Sequence, residues 1–356
     1  MDQGKIIRFC LVALPVGLLL IGAGSVFLTH IVGPGDSKAG AESQKKAEAA
    51  TIMRRPIARE DLEKYVGILA NDIGERNLGK PASLRAAAFW IESTLGPNNF
   101  GYAVERDKYE VEGQEVWNVV ADLPGGTLAS EMVVVGAHYD TVPGCPGAND
   151  NGTGVAALLS LANSLAGTNP ARTIRFVAFV NEEPPYFHTE TMGSLVHAKR
   201  LAKMGGRVTA MLSLETIGCF LDGPGSQRVP DGLPKDQFPS IGNFVALVGN
   251  PQSESLVTAA GDAWNRAGVG VSALPVTLPE SIEGAGWSDH WSFWQAGYPA
   301  LMVTDTAPFR YQHYHRPTDT ADQIDYARFT EVVKGLQAVI EELANRYNAG
   351  RGNQEQ

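Results

Sequence analysis

Positive charge is in short supply in this sequence. Its 356 residues carry 29 Lys and Arg against 39 Asp and Glu, a formal net charge of −10. Nucleic acid recruits clustered cations to its phosphates, so that class of partner is excluded. Part of the acidity fits site chemistry, because carboxylates that hold a metal count as negative until the metal is included. Cysteine is scarce too, with three residues in all. Cys10 stands too near the start to be a lipid-attachment site, which leaves Cys145 and Cys219 as the one pair outside the leading apolar run. No internal repeat is present, which excludes solenoids and propellers. Gly33 to Ala50 lacks large apolar side chains altogether and reads as a flexible tether.

What the chain does have is apolar material, 44% of its residues, enough to fill a sizeable core. Ile6 to Val32 is apolar apart from Arg8, Thr29 and His30, with Lys5 and Arg8 on its leading side. Roughly 20 such residues span a hydrocarbon core, so an N-terminal transmembrane helix is expected, oriented with the rest of the chain outside the cytoplasm. A cleaved signal segment is the other reading and would make the protein secreted. The expected organisation is an anchor or signal over 1–32, a linker over 33–55, one folded domain over 56–348 and a polar tail over 349–356.

Within that domain, helices are expected near Arg59 to Ala70 and Ser83 to Leu95, and strands over Tyr102 to Val111 and Glu115 to Leu123. Short apolar runs then alternate with helical patterns. Met132 to Ala137, Ile174 to Val180, Val208 to Leu214 and Pro299 to Thr304 read as strands; Val155 to Leu165, Ser194 to Lys203, Ser253 to Ala267 and Arg328 to Tyr347 read as helices. The alternation predicts an α/β fold with a mixed, largely parallel central sheet flanked by helices.

Chemistry-bearing residues collect where those strands end. His138 and Asp140 follow the run MVVVGA, Glu182 and Glu183 follow IRFVAFV, and Glu215 follows VTAMLSL. Asp150 sits in a Gly/Asn-rich turn before a helix, and His313 and His315 lie beyond the run YPALMVT. The crevice past the carboxyl ends of an open sheet is where ligands bind. Carboxylates crowded there repel one another, which divalent cations relieve, and His with carboxylates suits zinc.

Taken in order, His138-Tyr139-Asp140, Asp150-Asn151-x-x-Gly154, Asn181-Glu182-Glu183, Glu215-x-Ile217-Gly218, Ser288-Asp289-His290 and Tyr314-His315-x-x-x-Asp319-Thr320 resemble the signatures of the di-zinc aminopeptidase family. That family includes bacterial secreted aminopeptidases, glutamate carboxypeptidases and glutaminyl cyclases. The resemblance implies a metal-dependent exopeptidase with two zinc ions per chain, acting on peptides. His138 and Glu215 would hold one ion, Glu183 and His315 the other, and Asp150 would bridge them. Glu182 would be the general base, and Asp140 would take a hydrogen bond from the ring of His138. Glu215 departs from the family's usual Asp, which leaves the metal spacing open.

The resemblance implies aminopeptidase action first, with a glutaminyl-peptide cyclotransferase or a carboxypeptidase as alternatives. Arg310 and Arg316 are the cations a carboxypeptidase would use, and a non-catalytic receptor would be expected to have lost ligands. Asp289 is a candidate for orienting substrate, and Tyr311 and Tyr314 lie in the loop that could stabilise an oxyanion. Gly218 to Gly242, rich in Gly and Pro, reads as a lid or substrate wall. Cys145 and Cys219 lie on two of the ligand-bearing segments, so either a disulfide joins them or they are two separate buried thiols. The oligomeric state is not read from the sequence.

Overall fold

The computed structural model describes residues 55–347. The expected anchor over 1–32, nearly all of the linker over 33–55 and the tail over 349–356 lie outside the described residues. Among the described residues no helix is long and apolar enough to cross a membrane.

Eight strands form one mixed sheet: β1 (Val104–Val111), β2 (Gln114–Leu123), β3 (Leu128–His138), β4 (Arg172–Phe179), β5 (Arg207–Glu215), β6 (Phe244–Gly249), β7 (Ser272–Thr277) and β8 (Ala300–Thr304). Their order is β1-β2-β4-β3-β5-β8-β6-β7. β4, β3, β5 and β8 run parallel, β1, β2 and β4 pair antiparallel, and β6 returns antiparallel to β8. The four central parallel strands are the ones the sequence marks as short apolar runs, as strands buried on both faces must be.

Side chains alternate across this sheet. Val133, Val135, Ile174, Phe176, Leu212 and Leu301 enter the main core. Over that face lie α1 (Arg59–Gly67), α2 (Pro81–Leu95), α3 (Gly154–Leu165), α5 (Glu254–Ala267) and α8 (Tyr326–Asn345). Every residue of α3 is buried, which its sequence GVAALLSLANSL permits. Gly154 opens it because a Cβ there would meet Leu214 O at 2.4 Å; only glycine lets the helix start this close to β5.

The opposite face is divided. Val134, Val177, Phe179 and Met211 pack with Leu201 of α4 (Gly193–Lys203) and with Phe293 and Trp294 of α6 (His290–Gln295). Farther along, Phe244, Ala246, Val248 and Met302 form a separate apolar patch with Ala285, and none of the longer helices among the described residues contributes to it. The segment between β5 and β6 covers this patch instead.

Candidate metal centre

The expected ligands arrive from separate strand ends and converge. His138 is the last residue of β3 and Glu215 the last of β5, while Glu182 and Glu183 follow β4 by a few residues. Asp150 lies in the turn that feeds α3, and His315 follows the short helix α7 (Ala307–Arg310). The nearest approaches are between ligand atoms. His138 Nε2 is 3.4 Å from Asp150 Oδ1 and 3.3 Å from Glu215 Oε2. His315 Nε2 is 3.0 Å from Asp150 Oδ2 and 3.3 Å from Glu183 Oε2. The two oxygens of Asp150 therefore address two different imidazoles.

Could these residues hold cations? His138, Asp150 and Glu215 form one group whose donor atoms lie within 4.8 Å of one another, and Asp150, Glu183 and His315 form a second. Asp150 Oδ2, 3.0 Å from His315 Nε2, and Glu183 Oε1 are buried without a hydrogen bond, as oxygens available to a cation would be. Electrostatics agrees. Burial pushes the Glu182 carboxyl well above its usual range and, helped by Asp150, pushes Glu183 up to about 7. Glu215 is likewise raised by burial. Asp150 is held below the carboxylate range because its contacts with His138 and His315 outweigh burial. Such a cluster is neutral only by taking up protons or cations, and its His and carboxylate donors fit zinc. Glu182 forms a third group with His138 and Glu183, its Oε2 lying 3.7 Å from His138 Nε2, so it stands beside the ligands of both sites.

The turn before α3 is braced from three sides. Asn151 donates to Leu214 O at 2.8 Å, and its Oδ1 accepts from the backbone of Thr216 and Gly154, locking Asp150 to the end of β5. Asp319 accepts from the backbone N–H groups of Asn149 and Asp150 at 2.8 and 3.1 Å. Asn149 Oδ1 accepts from the Gly218 N–H. The fully buried guanidinium of Arg76 donates to the carbonyls of Leu69, Gly74, Tyr139, Pro146 and Gly147, tying the chain after His138 to the chain before Asp150. Gly147 has a φ of +64° and passes so close to Arg76 that a Cβ would lie 3.0 Å from the guanidinium. Arg76 carries no local sequence signal; an arginine 62 residues upstream of its partner strand end would be found only by its tertiary contacts.

Several expected residues occupy other roles. The Asp140 carboxylate accepts from the backbone N–H groups of Glu182 and Glu183 at 3.2 and 3.1 Å, while His138 Nδ1 bonds the Asp140 carbonyl at 3.2 Å, with the carboxylate 3.6 Å away. Asp140 thus shapes the Glu182–Glu183 corner as well as the imidazole. Asp289 is fully buried rather than set at the mouth of the site, with neither oxygen aligned for a hydrogen bond, and burial raises it to about 7. Its neighbour Ser288 donates to Glu215 Oε2 at 2.8 Å and bonds Ser213 Oγ at 2.8 Å. Tyr311 is buried and donates to Asp319 at 2.7 Å. Tyr314 stacks on His315 at 3.9 Å. His313 bonds Thr318 and joins neither donor group. Arg310 is engaged with backbone carbonyls and is not free for a substrate carboxylate. Cys145 and Cys219 are two free, buried thiols: Cys145 bonds Arg316 O, and Cys219 packs on Ala307 and Tyr311, so the disulfide reading is corrected.

Beside the donors lies an open apolar pocket, lined by the separate apolar patch of the sheet. Phe244, Val248, Leu274 and Met302 form its floor, Val229 and Phe238 belong to its wall, and Glu215 and Tyr314 border both pocket and metal centre.

Comparison with known proteins agrees. The profile of Peptidase family M28 matches residues 118–340. The chain is 34% identical to the uncharacterised protein YfbL of Escherichia coli, over 79% of this chain and 87% of that one. It is 25% identical to the probable aminopeptidase YDR415C of Saccharomyces cerevisiae, covering 73% of this chain and 66% of the yeast protein. Among solved structures, the zinc aminopeptidase BSAP of Bacillus subtilis superposes with a TM-score of 0.65 at 16% identity, over 83% of this chain and 97% of BSAP. The glutaminyl cyclase of Fimbriiglobus ruber superposes at 0.61 with 21% identity, over 81% and 96%.

Proposed function

The chain belongs to peptidase family M28 and is a zinc-dependent peptidase, and from that premise we propose that it is a di-zinc aminopeptidase that removes apolar residues from peptide N-termini. The observation that carries the reading is the shared border: Glu215 and Tyr314 belong both to the donor cluster's surroundings and to the apolar pocket. A side chain seated in the pocket brings its own peptide bond to the donors.

His138, Glu215 and Asp150 would hold one zinc, and Glu183, His315 and Asp150 the other. Bound there, zinc supplies Lewis acidity to the scissile carbonyl and acidifies the attacking water. Glu182 would take a proton from the attacking water and return it to the leaving amine, and burial raises its proton affinity. Asp140 holds Glu182 and Glu183 in place through their backbone N–H groups. Tyr314, kept protonated by burial and by the carboxylates around it, donates to the developing oxyanion.

A carboxypeptidase reading loses the support of Arg310, whose donors are taken. A glutaminyl cyclase reading is weaker because donors for two ions are present. The apolar run from Ile6 to Val32 supports placing the enzyme outside the cytoplasm, tethered or secreted. The test is a panel of free and N-acetylated leucyl and alanyl anilides, a glutaminyl peptide and carboxy-terminal substrates, with zinc analysis and chelator controls. Hydrolysis of free leucyl anilide, blocked by acetylation and lost with zinc, is expected. Cyclisation of the glutaminyl peptide or release from the carboxyl terminus as the main activity overturns the reading.

A further inference from the structure

We propose that Arg310 is the positioning residue that sets the side-chain selectivity of the apolar pocket, by fastening both ends of the segment that forms its wall. The inference rests on the aminopeptidase reading and goes beyond it to the residue that governs which substrates fit.

The segment leaves the site at Cys219 and re-enters the sheet at Phe244. Arg310, 7% exposed, donates from Nη1 to Gly242 O at 2.6 Å and to Cys219 O at 3.3 Å, and from Nη2 to Phe244 O at 2.8 Å. One side chain therefore holds the start and the finish of the wall together. Its Nε donates to Thr306 Oγ1 at 3.1 Å, which fixes the fork, and its guanidinium lies 4.7 Å over the ring of Phe244 on the pocket floor. Two more attachments of the segment land beside Arg310: Arg228 N donates to Phe309 O at 3.0 Å, and the Thr306 hydroxyl donates to Gln227 Oε1 at 3.1 Å, while Asp222 is paired separately with Arg328. The wall residues Val229, Pro230, Leu233, Phe238 and Pro239 hang from this clasp.

The floor of the pocket is part of the sheet and does not need the clasp; the wall does. A planar fork with fixed donors meets three carbonyls at once, which an ammonium on a flexible stem does not reproduce. Without the fork the two ends keep the bond from the Leu221 N–H to Gly242 O, but the Arg310 bonds to Cys219 O and Phe244 O are lost, and the wall shifts. A large apolar side chain touches wall and floor together, whereas a methyl group touches little of either. Loss of the clasp therefore costs large side chains more than small ones, and it appears mainly in KM.

The test compares leucyl and alanyl anilides on the zinc-loaded enzyme, with zinc content and deuterium exchange over 221–241 measured on the same samples. Arg310→Met keeps the length and removes the donors. Gly242→Ala approaches from the other side, since its Cβ would lie 2.9 Å from Arg310 Cδ and displace the guanidinium. The ratio of kcat/KM for leucyl over alanyl substrate should fall by about tenfold in Arg310→Met, within the range that one or two methylenes are worth in a pocket. Gly242→Ala should shift it the same way by less, Arg310→Lys should restore it only in part, and exchange should rise over 221–241 with zinc content unchanged. If Arg310→Met does not fold, Gly242→Ala alone decides. An active wild-type enzyme whose ratio does not move in the folded variants, whether or not exchange rises, overturns the inference and leaves the aminopeptidase reading standing. A wild-type enzyme inactive on both substrates overturns both.

Discussion

The two oxygens of Asp150 face unlike surroundings. On the Oδ1 side, His138 and Glu215 sit on strand ends with side chains 1% and 9% exposed. Glu215 is held further by Ser288, which donates to its Oε2. On the Oδ2 side, His315 lies on a loop with a φ of +56° and a side chain 32% exposed, and Glu183 keeps one oxygen without a hydrogen bond. One half is built into the sheet; the other is completed by a loop. On the di-zinc reading, the closed half would be ready for an ion once the sheet has formed, while the open half would depend on the placement of a single imidazole. Ions should exchange at the open half first.

The largest change comes from removing what the halves share. Asp150→Ala should strip zinc from both and abolish activity; retention of both ions by mass spectrometry under native conditions would break the bridging assignment. Glu182→Gln comes next. It should leave both halves loaded while turnover falls by about 10²–10⁴-fold, the usual worth of a general base. Zinc loss in that variant would make Glu182 a ligand, a role its closeness to His138 and Glu183 allows geometrically. The comparison is tested most directly by the pair His138→Ala and His315→Ala. The second should keep the closed-half ion and most of the thermal stability; the first should lose more of both. Equal zinc content and equal melting temperatures would remove the distinction. Ser288→Ala should have the smallest effect, weakening zinc at the closed half by about 10–100-fold, as loss of a group that orients a ligand does. Competition with a chromogenic chelator reads this as a faster second phase of metal release, with the first phase unchanged.

Much of this arrangement was legible in the sequence because chemistry and pattern coincide there. The central strands are short apolar runs, and at or just past their carboxyl ends stand the candidate ligands His138, Glu183 and Glu215, which the structure brings together. Where residues do their work through tertiary hydrogen bonds, no pattern announces them. Arg76 reads as an ordinary cation after a helix, yet five carbonyls from three segments depend on it. Arg310, read as a cation for a substrate carboxylate, turns out engaged for a related reason. A polar residue beside a functional motif suggests a hand held out to substrate, whereas buried polar groups are just as often occupied by the protein's own backbone. β6 and β7 were missed as strands: β6 follows a Gly- and Pro-rich stretch that hides its apolar run, and β7 carries Pro275, which the edge of a sheet tolerates. Cys145 and Cys219 show the limit of proximity in sequence-derived segments. Both lie near the ligand loops, but each thiol is turned to its own neighbours.

The sheet face over β8, β6 and β7, bare of long helices among the described residues, has a consequence for how such an enzyme can diversify. Much of the pocket wall there comes from one stretch of chain, with residues 283–285, 287, 308 and 309 completing it, and every strand that ends in a candidate ligand lies outside that stretch. Insertions, deletions or wholesale exchange between 221 and 241 can therefore alter which residues are accepted while the metal-bearing framework is inherited intact. Diet and chemistry are encoded in separate pieces of the gene, and a library randomised over that stretch alone would explore the first without risking the second.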